Sequence, residues 1–307
     1  MSQAWPELPR DAWTETRDTL HLWTQVVGKV RLALAPAEPE WAQVPLYVSA
    51  RGLTTSPMPY ENGTCQIDFD FIAHVLRIDT SDGRRSTIAL EPRTVASFYA
   101  EVLSALRRLG IGVQIDPRPQ EIDGAIPFDR DDVHASYDAR WAQRFFEVLS
   151  RVDAVLKEHR ARFFGRTTPV QFFWGTFDLT LARYSGRALR PPADAGLIER
   201  VGGDAEEIAA GFWPGDERFP EAACYAYHYP ALTGLERAQI DPPTAFWSQE
   251  MGEFLLRYDD VRVSASPREA LLAFFESTYR AAATLANWDI DALAYPRASL
   301  KASAGAK

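Results

Sequence analysis

Cys65-Gln66-Ile67-Asp68-Phe69-Asp70-Phe71, followed by Val75–Thr80, by Ser81-Asp82-Gly83 and by Ser86–Leu90, is the stretch that decides the fold class. Apolar and polar residues alternate in the first run. Cys65, Ile67, Phe69 and Phe71 therefore share one side of a strand, and Gln66, Asp68 and Asp70 the other. Ser-Asp-Gly between two β-rich runs signals a hairpin. Strands joined by so short a turn are antiparallel, because a parallel pair needs a long crossover. Helical spacing flanks the run on both sides, with Leu20, Trp23, Val27, Val30 and Leu34 before it and Val95, Phe98, Val102, Leu106 and Leu109 after it. Consecutive strands bracketed by helices predict an α+β fold of antiparallel sheets with packed helices.

The second half echoes the first. Pro45–Thr54 and Pro169–Leu179 are apolar β-rich runs, each after a long helical stretch. Cys65–Phe71 and Cys224–Tyr229 follow them, each opening on one of the two cysteines, and each half closes on a helix entered through a proline, Pro92 or Pro267. The expectation is a single compact unit over 10–296, built of two pseudo-symmetric halves (11–115 and 136–295) from an internal duplication, with tails 1–9 and 297–307. Further expected features are a short strand at Val113–Ile115, a helix capped by Ser136, a strand over Val170–Tyr184, and a capping box Ser266-Pro267-Arg268-Glu269. Residues 185–222 read as a long loop, and loops of that length are often lids or binding loops.

Composition narrows the function classes. The 307 residues supply ample core, and no apolar window is long enough to span a bilayer. A net charge of −9 argues against a sequence-independent grip on nucleic acid, which needs cations to neutralise phosphates. Two widely spaced cysteines and an N-terminus without a basic-then-apolar segment predict a disulfide-free cytoplasmic protein. Nothing in the sequence sets the oligomeric state.

No G-x-S-x-G elbow, phosphate-cradling glycine loop, dinucleotide fingerprint or zinc spacing is present, so no cofactor, metal or reaction is identified. The candidates come from strand faces instead. Asp68 and Asp70 share a face; two like charges raise one pKa, so they read as an acid–base pair, as oxygen ligands with Asp178 for a hard divalent cation, or as surface carboxylates paired with Arg51 or Arg77. Asp178 and His21 are the other proton-carrier candidates. His21 lies on a polar stripe with Asp18 and Gln25, and it reads equally as a hydrogen-bonded structural histidine. Tyr47, Arg51, Trp174, Trp213, Tyr225 and Tyr227 supply aromatic and polar contacts of the kind a small-molecule pocket uses. The expected site is a central groove for a small polar or aromatic metabolite, covered by Phe212-Trp213-Pro214-Gly215. The alternatives are an enzyme using Asp/His chemistry on that groove and a non-catalytic scaffold with an aromatic surface.

Longer blocks carry a resemblance. Trp5–Pro9, Asp18–Leu32, Ala50–Pro57, Ile67–Phe71, Val133–Asp138, Phe172–Asp178, Gly211–Asp216 and Tyr225–Pro230 resemble an uncharacterised bacterial domain-of-unknown-function family, number 5996. The resemblance covers nearly the whole chain and implies a single-unit soluble protein. It implies no activity, cofactor or catalytic residue.

Overall fold

The computed structural model describes residues 4–196, 200 and 202–295. The expected tail 297–307 lies outside them. Helices and two antiparallel sheets give the expected α+β class. Contacts divide the chain into two units, one of 1–153, 170–180 and 212–222, the other of 154–169, 181–211 and 223–307. These bounds differ from the halves expected at 11–115 and 136–295.

The first unit opens on α1 (Thr14–Leu34) and continues through β1 (Tyr47–Val48), β2 (Gly52–Thr54), β3 (Met58–Tyr60), β4 (Gly63–Asp70), β5 (Val75–Thr80), β6 (Arg85–Ala89) and α2 (Val95–Arg108). Its sheet runs β1-β2-β4-β5-β6, with β3 also on β4. The alternation in β4 holds: Cys65, Ile67, Phe69 and Phe71 are buried in the core. Phe69 lies 6.4 Å from Phe98 of α2, which stacks at 4.5 Å on Trp23 of α1. Such aromatic pairs add about 0.5–1.5 kcal/mol each beyond the area they bury. Thr94 caps α2 by accepting from the Ser97 amide at 3.1 Å. Leu8, ahead of α1, is buried.

α3 (Ala139–Arg160) passes from the first unit into the second. Its cap is not Ser136 but Asp138, whose Oδ1 accepts from the Arg140 amide at 2.9 Å. The predicted strand Val170–Tyr184 is two strands, β7 (Gln171–Phe173) and β8 (Asp178–Ala188), which pair with each other. Four turn residues between them, with Phe177 at φ 59°, break the period-2 pattern. Phe172 and Phe177, which one continuous strand would put on opposite faces, thus both enter the core around Phe145, at 6.3 and 5.1 Å. No strand forms at Val113–Ile115.

The second unit contains the rest of β8, β9 (Ala205–Trp213) up to Gly211, β10 (Ala223–Tyr229), β11 (Phe246–Ser248) and β12 (Glu253–Arg257), in the order β11-β12-β10-β9-β8. The expected loop 185–222 therefore holds the end of β8 and the whole of β9, with irregular stretches around them. β9 is buried along almost its whole length, so it lacks the alternation that would have marked it. α4 (Tyr258–Arg262), α5 (Pro267–Leu285) and α6 (Ile290–Leu293) close the chain. α5 packs on β10, and Phe274, Phe275, Cys224, Leu255 and Leu256 are fully buried. Pro267 opens α5 as expected, but Ser266 makes no side-chain cap bond. No helix among the described residues is long and apolar enough to cross a membrane.

Candidate functional site

Strand register assembles the charged residues of the first unit. In the β4–β5 ladder Asp68 faces Arg77; in the β2–β4 ladder Asp70 faces Gly52, next to Arg51. Arg51 Nε donates to Asp70 Oδ2 at 2.6 Å, while Arg77 reaches Asp70 at 3.4 Å and Asp68 at 3.8 Å. Asp70, 1% exposed, also accepts from the Ile72 and Ala73 amides at 3.0 and 2.9 Å. Burial alone would raise its pKa. The bond from Arg51 and the two amides outweigh it and hold the carboxyl below its ordinary value. Gln66 Nε2 bonds both oxygens of Asp68 at 3.0 Å.

Above this face lies a cavity of about 330 Å³ lined by Ser49, Arg51, Thr54, Ser56, Gln66, Asp68 and Arg77 with Ala50 and Pro57. Of the alternatives for Asp68 and Asp70, the geometry is that of carboxylates paired with arginines. What faces the cavity is a set of guanidinium, hydroxyl and amide groups beside one carboxylate. Asp70 anchors two of these donors from behind.

His21 is held elsewhere in the same unit. Its Nε2 lies 2.9 Å from the Gly175 carbonyl and 3.1 Å from Gln25 Nε2, and its ring is 4.8 Å from Phe177. Burial is the main cause that lowers its pKa to about 4, against the raising effect of the Gly175 and Trp174 carbonyls. The imidazole is neutral at physiological pH and bonded as a structural histidine. Gln25 in turn holds the connector, accepting from the Gln120 amide at 2.6 Å and donating to its carbonyl at 3.0 Å. That places Glu121, at φ 58°, with a carboxylate oxygen 2.9 Å from where a Cβ on Gly175 would lie. Burial and then the charge of Asp178 raise the Glu121 pKa. The Thr176 hydroxyl donates to Asp178. Asp178 thus has Glu121 and Thr176 as neighbours and does not line the Asp68 cavity. Glu121 had no sequence signal, because it sits in an irregular proline-rich connector.

The predicted aromatic contacts are distributed elsewhere. Tyr47 donates its hydroxyl to the Ala42 carbonyl at 2.8 Å, with the Arg31 guanidinium 5.4 Å from its ring centroid. Trp174 is buried, donates to the Val44 carbonyl at 2.8 Å, and lies where a side chain on Gly28 would be, 2.2 Å from that Cβ position. Trp213 is buried 5.8 Å from Phe219, and the nearby Gly215 carbonyl accepts from Arg17 at 3.3 Å. The segment expected as a lid is thus a strand end followed by a turn held to α1. In the second unit Tyr225 and Tyr227 stack at 6.2 Å and 12°, with Tyr227 packed on the cluster of Ala182, Tyr184, Ala205 and Ala209. Burial pushes the neighbouring Glu207 up to about 7, against the hydrogen bond from Tyr184 and the charge of Arg166.

A buried network in the second unit was also not read from the sequence. His159 Nδ1 donates to Glu276 at 2.7 Å, and Arg183 donates to the His159 carbonyl and, at 3.3 Å, to Glu276. The Arg183 guanidinium also stacks 4.3 Å from the Tyr279 ring centroid. Its residues come from α3, β8 and α5, and no local pattern links them. Among the described residues no group of three or more His, Cys, Asp or Glu side chains is placed to hold a metal ion.

A family model covers residues 5–295, and the chain belongs to that family, DUF5996, a family of unknown function. No curated protein and no solved structure matches the chain.

Proposed function

We propose that this family member binds a small polar metabolite carrying a carboxylate or phosphate in the cavity of its first unit. One observation carries the reading: Arg51 is tied through Nε to the buried Asp70, and its terminal amino groups have no partner among the described residues at the cavity wall. A guanidinium fixed at one edge loses little further freedom when its free edge takes an oxyanion, and charge-assisted bonds of this kind are about twice as strong as neutral ones. Ser49, Thr54 and Ser56 add hydroxyls, and the volume suits a small metabolite rather than a cofactor. Binding is favoured over Asp/His proton transfer because Asp70 is held ionised by its partners and His21 is neutral and committed to a carbonyl.

The reading extends to a reducing cytoplasmic setting, supported by two free, buried cysteines. It also extends to an internal duplication, supported by the shared order of a long helix, six strands and a closing helix in each half. The binding claim is tested by thermal-shift titration with glutamate, succinate and inorganic phosphate. At least one anion should raise Tm in the parent protein and fail to do so in Arg51→Ala, each shift being read against that protein's own ligand-free Tm because the variant also leaves the buried Asp70 without its nearest cation. Equal shifts in both proteins would overturn the assignment.

A further inference from the structure

We propose that a second cavity, in the second unit, binds a small organic ammonium ion against the indole of Trp247, with Asp241 as its counter-ion. This cavity measures about 600 Å³, and its walls include Glu236, Gln239, Asp241, Phe246, Trp247 and Phe254. Trp247 and Phe254 are direct cross-strand partners in the β11–β12 ladder, so both side chains leave the sheet on the same side. Their rings stand at 80° with centroids 4.9 Å apart, so the buried Phe254 braces the half-buried Trp247 and leaves the indole as the π surface at the cavity. The negative face of an aromatic ring attracts cations, and the attraction grows when the cation is desolvated. The adjacent strand residue shows the same preference, since the Arg257 guanidinium lies 4.8 Å from the Phe246 centroid.

Charge selects the ligand class. Glu236 and Asp241 line the cavity, and no lysine or arginine is among its lining residues. Glu236 is already engaged, accepting from the Gly234 amide at 2.9 Å and facing Arg237 Nε at 3.6 Å. The Asp241 carboxylate has no ion pair among the described residues. Its backbone is fixed by a reciprocal pair of bonds, its amide donating to Ser277 Oγ at 3.0 Å and its carbonyl accepting from that hydroxyl at 3.1 Å. An anion would meet two carboxylates here, and a neutral ring would leave Asp241 unanswered. An ammonium group satisfies both the indole and the free carboxylate.

The test uses the full chain and two probes: choline, and the neutral alcohol in which carbon replaces its ammonium nitrogen. Calorimetric titration should show saturable choline binding, with the neutral isostere weaker by about tenfold. Asp241→Asn and Trp247→Leu should each weaken choline by about tenfold, while Arg51→Ala leaves it unchanged. Asp241 is exposed, so its variant stays informative even if the tryptophan variant fails to fold. Absence of saturable choline binding, equal binding of the isostere, or an Asp241→Asn variant of parental affinity would each overturn the proposal.

Discussion

Asp70 illustrates how one side chain is defined by its partners. The carboxylate is 1% exposed, yet it accepts from Arg51 and two amides and pairs with Arg77 at 3.4 Å, so its charge is compensated. Converting it to an amide removes the charge and leaves Arg77 without its nearer anion. Breaking one member of such a buried set typically costs about 3–5 kcal/mol, lessened here because both arginines keep contact with water. Asp70→Asn is expected to lower unfolding stability by about 2–3 kcal/mol in urea titration. Asp68, whose one ion pair is the more distant Arg77 and whose hydrogen bonds come from the neutral Gln66 amide, should tolerate the same change at under about 1 kcal/mol. Parity of the two variants would refute this division of labour.

At the scale of elements, packing overrides pattern in the turn between β7 and β8. A bulky residue at positive φ is costly, and Phe177 holds φ 59° while its ring contacts His21, Phe145 and Phe172. Trp174, in the same turn, lies against α1 at a point where the helix has no side chain. A methyl group on Gly28 would come within 2.2 Å of the indole. Alanine is the better helix former by about 1 kcal/mol, so a solvent-facing Gly→Ala would stabilise α1. Here the clash dominates. Gly28→Ala is expected to destabilise by about 1–3 kcal/mol, with a changed tryptophan emission as the indole shifts. A stabilised variant would show that the contact is not tight.

For the whole molecule, opposing titrations shape stability against pH. His21 and His159 are lowered from 6.5 to about 4, each chiefly by burial. Between those values the unfolded chain binds more protons than the folded one, so their contribution grows as pH rises from 4 to 6.5 and is complete above it. Glu207 acts in the other direction. Raised from 4.5 to about 7, it keeps its proton in the folded chain, so its contribution is full below 4.5 and lost as pH rises through 7. Glu207→Gln should therefore gain in Tm relative to the parent as pH rises from 4.5 to 7, with no further change above. A Tm difference that is flat across that window would rule out the assignment.

Two kinds of information separate in this chain. Alternation in Cys65–Phe71 and the Ser-Asp-Gly turn were enough to specify antiparallel strands, a core face and a polar face carrying Asp68 and Asp70, because side-chain direction in a strand follows local periodicity. The neighbouring arginines were legible for the same reason, as residues near in sequence along paired strands. The turn at 174–177, the strand character of β9, the Gln25–Gln120–Glu121 contact and the His159–Arg183–Glu276 network were not. Each depends on contacts between residues dozens of positions apart, or on burial of both faces, which erases the alternation. The sequence by itself determined the α+β class and the charged face of the first sheet. Which arginine meets which carboxylate, and where Trp174, Tyr225 and Asp178 lie relative to them, was decided only when register and long-range packing were in place, because the free energy that orders them arises from surfaces brought together by the folded chain.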